Sequence, residues 1–139
     1  MDADHHTYLR GHDTQKNREF ASLTKMYTLY ACLHLNKLLK VNPNTSVVKT
    51  FDTKLAGTLA HLTPDQFITL TDLYYGLMLP SGNDAALILA SYYGSWLARA
   101  INQSGLPKMS RKDSLDGNTT HSKVFSKKFI HFMNKILVK

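Results

Sequence analysis

The sequence predicts one mainly helical folding unit with at most a short strand near its N-terminus, and three observations carry that reading. Residues 22–40 form an apolar run of helical length. Residues 69–104 hold two helix-period segments separated by a tight Pro-Ser-Gly-Asn-Asp bend. Residues 123–139 place aromatic and aliphatic side chains on one helical face and lysines on the others. A chain of 139 residues, 43% of them apolar, supports one core and is too short to promise two.

The elements follow in order. Residues 1–21 are polar and mixed, with a strand no longer than Thr7–Arg10 and a turn at His-Asp-Thr-Gln-Lys-Asn. Over 22–40 the apolar positions, among them Leu23, Met26, Tyr30, Leu33, Leu35 and Leu38, cover most of the helical circumference, which predicts a buried helix. Ser22 suits its N-cap or first turn, and Val-Asn-Pro-Asn-Thr-Ser at 41–46 stops it. The stretch 46–62 opens β-branched and continues with a short helical look.

Thr69 followed by Asp72 reads as a capping box for a helix reaching Leu79, ended by Pro80. Asp84 is placed to cap a second helix, which closes at Gly105 and Pro107. Residues 107–122 read as a solvated polar loop, and 123–139 as an amphipathic basic helix. Its stripe of Phe125, Phe129, Phe132, Met133, Ile136 and Leu137 fits docking on its own domain, the ordinary case for an amphipathic helix, with a membrane surface or a partner groove as the alternative.

Composition narrows the function classes. Seventeen Lys plus Arg against ten Asp plus Glu give a formal charge of +7, without any run of five like charges; this supports no specific nucleic-acid reading. The single cysteine, Cys32, lies in the apolar run and reads as a small buried hydrophobe. His5, His6 and His12 sit in a polar tail, while His34 and His61 lack companions with ligand spacing, so no metal site and no cofactor is expected. The N-terminal residues do not resemble a secretion signal, and no segment approaches eighteen unbroken apolar residues, so compartment is not assigned.

The chemistry-bearing spacing is Ser22-x-x-Lys25. On a helix, residues three apart share a face, so the lysine amine can reach the serine hydroxyl. A neutral lysine would serve as the base that makes the serine a nucleophile, and burial beside apolar residues or a second cation favours the neutral form. A capping serine followed by a surface lysine fits the same letters. Ser46 and Lys49 repeat the spacing in a Val-Val setting and are read as coincidence. The second element is Ser81-Gly82-Asn83, which presents a hydroxyl and an amide at the bend between two apolar helices.

Together, Phe-Ala-Ser-Leu-Thr-Lys-Met-Tyr-Thr and Asp-Leu-Tyr-Tyr-Gly-Leu-Met-Leu-Pro-Ser-Gly-Asn-Asp-Ala-Ala, about sixty residues apart, resemble the first two motifs of the D-alanyl-D-alanine carboxypeptidases. These are the low-molecular-weight penicillin-binding proteins, and Phe-Ile-His-Phe-Met-Asn-Lys at 129–135 is similar to a later stretch of the family. The resemblance implies an α+β fold of the β-lactamase/transpeptidase type, an antiparallel sheet flanked by helices, of which this chain holds mainly the helical part. It also implies that Ser22 is the acylated nucleophile and Lys25 its general base, with Ser81 relaying protons and Asn83 holding substrate. The implied substrate is a peptide ending in D-Ala-D-Ala, or a β-lactam, handled without metal or cofactor.

The family's third motif, Lys-Thr-Gly, does not occur; the nearest match is Lys49-Thr50-Phe51, which falls before the second motif. The expectation is therefore a single partial carboxypeptidase-like domain over 1–139 that lacks a C-terminal half and has negligible turnover alone. Apolar helix faces left uncovered should go with it. The alternative from another class is a non-catalytic basic helical binding module derived from that family, using 123–139 on an anionic surface.

Overall fold

Four α-helices and a two-stranded antiparallel sheet are present in the computed structural model, which describes residues 4–5, 7, 10–48, 55–102 and 119–137. The order is a 3-10 turn (Ala21–Leu23), α1 (Thr24–Leu39), β1 (Ser46–Val48), β2 (Phe67–Thr69), α2 (Leu70–Met78), α3 (Asn83–Asn102) and α4 (Thr119–Leu137). The chain is thus mainly helical, as its periodicities predict. Its described ladder, however, lies at 46–48 and 67–69 rather than at the N-terminus, where Thr7 makes an isolated bridge and the rest of the expected strand lies largely outside the described residues.

The β-branched start at Ser46 pairs with β2 in the register Ser46↔Thr69, Val47↔Ile68 and Val48↔Phe67. The pairing continues past the strands: Leu70 N–H donates to Thr45 O and Thr71 N–H to Pro43 O, both at 3.1 Å. Thr69 then turns the strand into a helix. Its hydroxyl accepts from Asp72 N–H at 3.1 Å and donates to the Asp72 carboxylate at 2.6 Å, so Thr69 caps α2 as the spacing predicts, with the carboxylate on the hydroxyl and not on the Thr69 N–H of a full capping box. Leu70, Leu73 and Leu77 of α2 are buried by the same period.

The core lies where the four helices meet, built on Leu35, Leu70, Leu73, Leu77, Leu89, Tyr93 and Phe129. The closest helix contact is α3 on α4 at Gly94, where an added Cβ would sit 2.0 Å from the Phe125 carbonyl oxygen. The α4 stripe faces this core: Phe125, Phe129 and Met133 are buried, with Phe132 and Ile136 packed beside them. Docking on its own domain is therefore what these five residues do, while Leu137, at the end of the same stripe, stays 41% exposed. The helix also begins at Thr119, so the last four residues of the expected polar loop are helical; the rest, with Gly105 and Pro107, lies outside the described residues. No helix among the described residues is long and apolar enough to cross a membrane.

Of the two places expected for Ser22, the structure takes the first turn: it lies inside the 3-10 turn that opens the rod, and neither that turn nor α1 has a side-chain cap at its start. One expectation for α1 is corrected, since it is not buried all round. Only Thr28, Ala31, Cys32 and Leu35 are buried, while Leu23 (58%), Met26 (58%), Tyr30 (55%) and Leu33 (49%) stay exposed along the opposite stripe. The described helices cover one side of α1, and no described element covers the other, which matches the expectation of bare apolar faces. The helix ends at Leu39, with Lys40 in the left-handed region (φ 51°, ψ 40°) and the N–H groups of Lys40 and Val41 both donated to Asn36 O.

Candidate active site

The 3-10 turn and α1 carry Ser22 and Lys25 on consecutive turns of one rod. Ser22 is exposed and Lys25 half-buried; the Ser22 carbonyl accepts from Thr24 N–H, and its hydroxyl has no hydrogen-bond partner among the described residues. Ala21, just before it, adopts φ 45°, a conformation that costs a non-glycine residue about 1–2 kcal/mol and recurs at functional sites. Ser46 begins a strand, where residues three apart point to opposite faces; this agrees with reading its spacing to Lys49 as coincidence, although Lys49 lies outside the described residues.

The bend joins this rod through one side chain. Lys25 Nζ donates to Asn83 Oδ1 at 2.8 Å across 58 residues of sequence, linking the Ser-x-x-Lys and Ser-Gly-Asn elements. Asn83 Nδ2 donates to Ala56 O at 2.7 Å, which fixes the amide plane and leaves its second N–H uncommitted among the described residues. Ser81 sits at φ 57°, and its carbonyl accepts from Thr58 Oγ1 at 2.7 Å. Gly82 is buried between them, where a Cβ would lie 2.6 Å from Gly76 O, 2.8 Å from Asp84 Oδ1 and 2.9 Å from Ala60 N. No larger residue fits between Ser81 and Asn83.

Residues 55–62, expected to look helical, are an extended strap laid across this bend. The strap is non-helical because its polar groups are committed elsewhere. Asn83 N–H donates to Thr58 O at 2.8 Å, and the N–H groups of Ala60 and Leu62 donate to the Asp84 carboxylate at 2.8 and 3.1 Å. Gly57, at φ 87°, allows the chain to pass the Asn83 amide, 2.8 Å from where a Cβ would be. Asp84, expected to cap α3, lies instead inside its first turn, where it receives the neighbouring Ala85 N–H at 2.9 Å and reaches across to the strap. Burial alone would raise its pKa; the Ala60, Leu62 and Ala85 N–H groups outweigh that and hold it below the ordinary carboxylate value.

Sequence reasoning named Ser22, Lys25, Ser81 and Asn83 as candidates, of which the structure joins Lys25 to Asn83, and it had no reading of Ala56, Gly57 and Thr58, which lie against the bend. The glycine was the one signal available for them. Among the described residues no cluster of three potential metal ligands occurs. Cys32 is fully buried, and burial pushes its thiol pKa well up, which suits a packing role.

With this geometry in view, comparison with known proteins is decisive for ancestry. Residues 1–99 match the model of the D-alanyl-D-alanine carboxypeptidase family. The chain belongs to that family. The carboxypeptidase match takes in Ser22, Lys25, Ser81 and Asn83 and ends within α3, so α4 and its Phe-Ile-His-Phe-Met-Asn-Lys stretch lie beyond it. A D-alanyl-D-alanine carboxypeptidase from Streptomyces sp. (strain K15) is 35% identical over 91 residues, which are 63% of this chain and 30% of that protein. The matched part spans under a third of the relative's length.

Proposed function

We propose that the chain carries the nucleophile-bearing portion of a serine-type D-alanyl-D-alanine carboxypeptidase. The observation that supports this most is the Lys25–Asn83 hydrogen bond, which joins two motifs that sequence reasoning assigned to one reaction. In this reading Lys25, as the free amine, takes the Ser22 hydroxyl proton while its own N–H donates to Asn83. Ser22 Oγ then attacks the carbonyl carbon of the penultimate D-alanine. The peptide C–N bond breaks, the proton passes to the leaving D-alanine nitrogen through Lys25 and the Ser81 hydroxyl, and water hydrolyses the Ser22 ester. Asn83 holds the substrate amide with its second N–H.

The chain has no Lys-Thr-Gly element, whose cation and strand edge would complete substrate binding and the oxyanion site. Losing a single oxyanion donor costs about 10²–10³ in rate. Turnover by these 139 residues alone is therefore negligible, while slow single acylation by a β-lactam remains within their chemistry. Prolonged incubation with a fluorescent penicillin tests this: wild type gains a covalent label and Ser22→Ala does not. Persistence of the label in Ser22→Ala, or its absence from both, refutes the assignment. An unlabelled protein that binds anionic liposomes in a salt-sensitive way would instead favour a non-catalytic module, although α4 commits Phe125, Phe129 and Met133 to the core.

A further inference from the structure

At the far end of α1 from Lys25, three polar side chains close a ring between helices. Asn36 Nδ2 donates to the Tyr74 hydroxyl at 2.7 Å, the Tyr74 and Tyr93 hydroxyls are 2.6 Å apart, and Tyr93 donates to Asn36 Oδ1. Because Tyr93 commits its proton to Asn36, Tyr74 must donate to Tyr93. The three bonds then run in one direction and reinforce one another. Tyr93 is fully buried, and burial raises both phenols above their ordinary pKa, so the ring is neutral at physiological pH.

The ring joins α1, α2 and α3, and it is the second hydrogen-bonded link between α1 and α3 after Lys25–Asn83. The two links are eleven residues apart on α1 and ten apart on α3. At about 1.5 Å per residue these are nearly equal lengths, ~16 and ~15 Å, along two helices running side by side in the same direction. Of the fully buried α1 residues, Thr28, Ala31 and Cys32 are small and Leu35 is large, with Tyr27 and Leu29 packed beside the core. Apolar contacts of this kind are non-directional, so the hydrogen-bonded ring is what adds direction to the register.

We propose that the Asn36–Tyr74–Tyr93 ring is the register pin that holds Lys25 opposite Asn83. Its members are positioning residues: they touch no substrate and act through the two helices. The consequence for acylation rests on the function proposed above; the register itself does not.

The test uses NMR on the full chain, reading the nuclear Overhauser contact between the Lys25 side chain and the Asn83 amide, with penicillin labelling of Ser22 in parallel. The triple variant Asn36→Leu, Tyr74→Phe, Tyr93→Phe removes every ring partner at once and leaves no orphaned polar group, so it keeps a cooperative melt. In it the Lys25–Asn83 contact should weaken at least fivefold and Ser22 labelling slow at least tenfold. A merely structural ring predicts a folded triple variant with the contact intact, and that result overturns the proposal. Should the triple variant fail to fold, Tyr74→Phe alone opens two of the three bonds and keeps both aromatic rings. A wild-type contact in that variant overturns the proposal equally, and a weakened one supports it. Absence of penicillin labelling in wild type counts against the enzymatic reading while the magnetic contact still decides the register.

Discussion

Replacing Asp84 by alanine should release the strap from the bend. The carboxylate accepts from Ala60 and Leu62 across the chain and from Ala85 in its own helix, at 2.8, 3.1 and 2.9 Å. Hydrogen bonds to a charged acceptor contribute about 1.5–3 kcal/mol each. Ala60 and Leu62 are half-buried, so water can reach their freed N–H groups in part, and Ala85 N–H loses its carboxylate inside a fully buried residue. Taking the lower end of the range for each strap bond gives a destabilisation of about 3 kcal/mol, a large share of the roughly 5–15 kcal/mol typical of a domain. Asp84→Asn should recover part of this, because an amide oxygen in the Oδ1 place still accepts from Ala60 and Ala85 while the amide nitrogen turns a donor toward Leu62 N–H. Urea unfolding followed by circular dichroism measures both, and amide exchange at Ala60 and Leu62 reports the strap directly. A loss below about 0.5 kcal/mol, within the range of ordinary surface substitutions, with exchange unchanged at those amides would show that the carboxylate does not hold the strap.

Three further outcomes follow from the same structure. Gly94→Ala places a methyl against the Phe125 backbone, so α3 and α4 must separate, and thermal unfolding should show a loss of about 1–3 kcal/mol or more. Thr69→Ala removes the hydroxyl that caps α2 and should cost about 1 kcal/mol, read as a lower urea midpoint with α2 amides exchanging faster. Because the folded state holds the Asp84 pKa below its unfolded value, the stabilisation is complete above about pH 4 and disappears as pH falls through the folded pKa; the acid loss of stability should flatten in Asp84→Asn.

Which features were legible follows from the range of the interactions that fix them. Thr69 and Asp72 cap their own helix, the α2 and α4 periods set their own buried faces, and Pro80 with Gly82 bends the chain locally, so spacing alone exposed them. The strap was illegible because its conformation depends on Asn83 and Asp84, more than twenty residues away. β2 is three residues long and has meaning only beside β1. The apolar circumference of α1 predicted complete burial, yet burial requires partners on both sides and the described elements supply one. Ser22 and Lys25 were named from letters that also fit a cap. Exclusion of the cap came only from the 3-10 turn, and the weight of Lys25 came only from Asn83 across the fold.

The central claim, that Ser22 is armed within a site joined by Lys25 and Asn83, is tested most directly by locating the acyl group after prolonged penicillin treatment. Cleavage at Arg18 and Lys25 releases residues 19–25, which contain Ser22 as their one serine. Mass spectrometry should find the penicilloyl adduct on that peptide in wild type, and strongly reduced there in Asn83→Ala. An adduct on the Ser46 peptide, or equal adduct on residues 19–25 after Asn83→Ala, would contradict it.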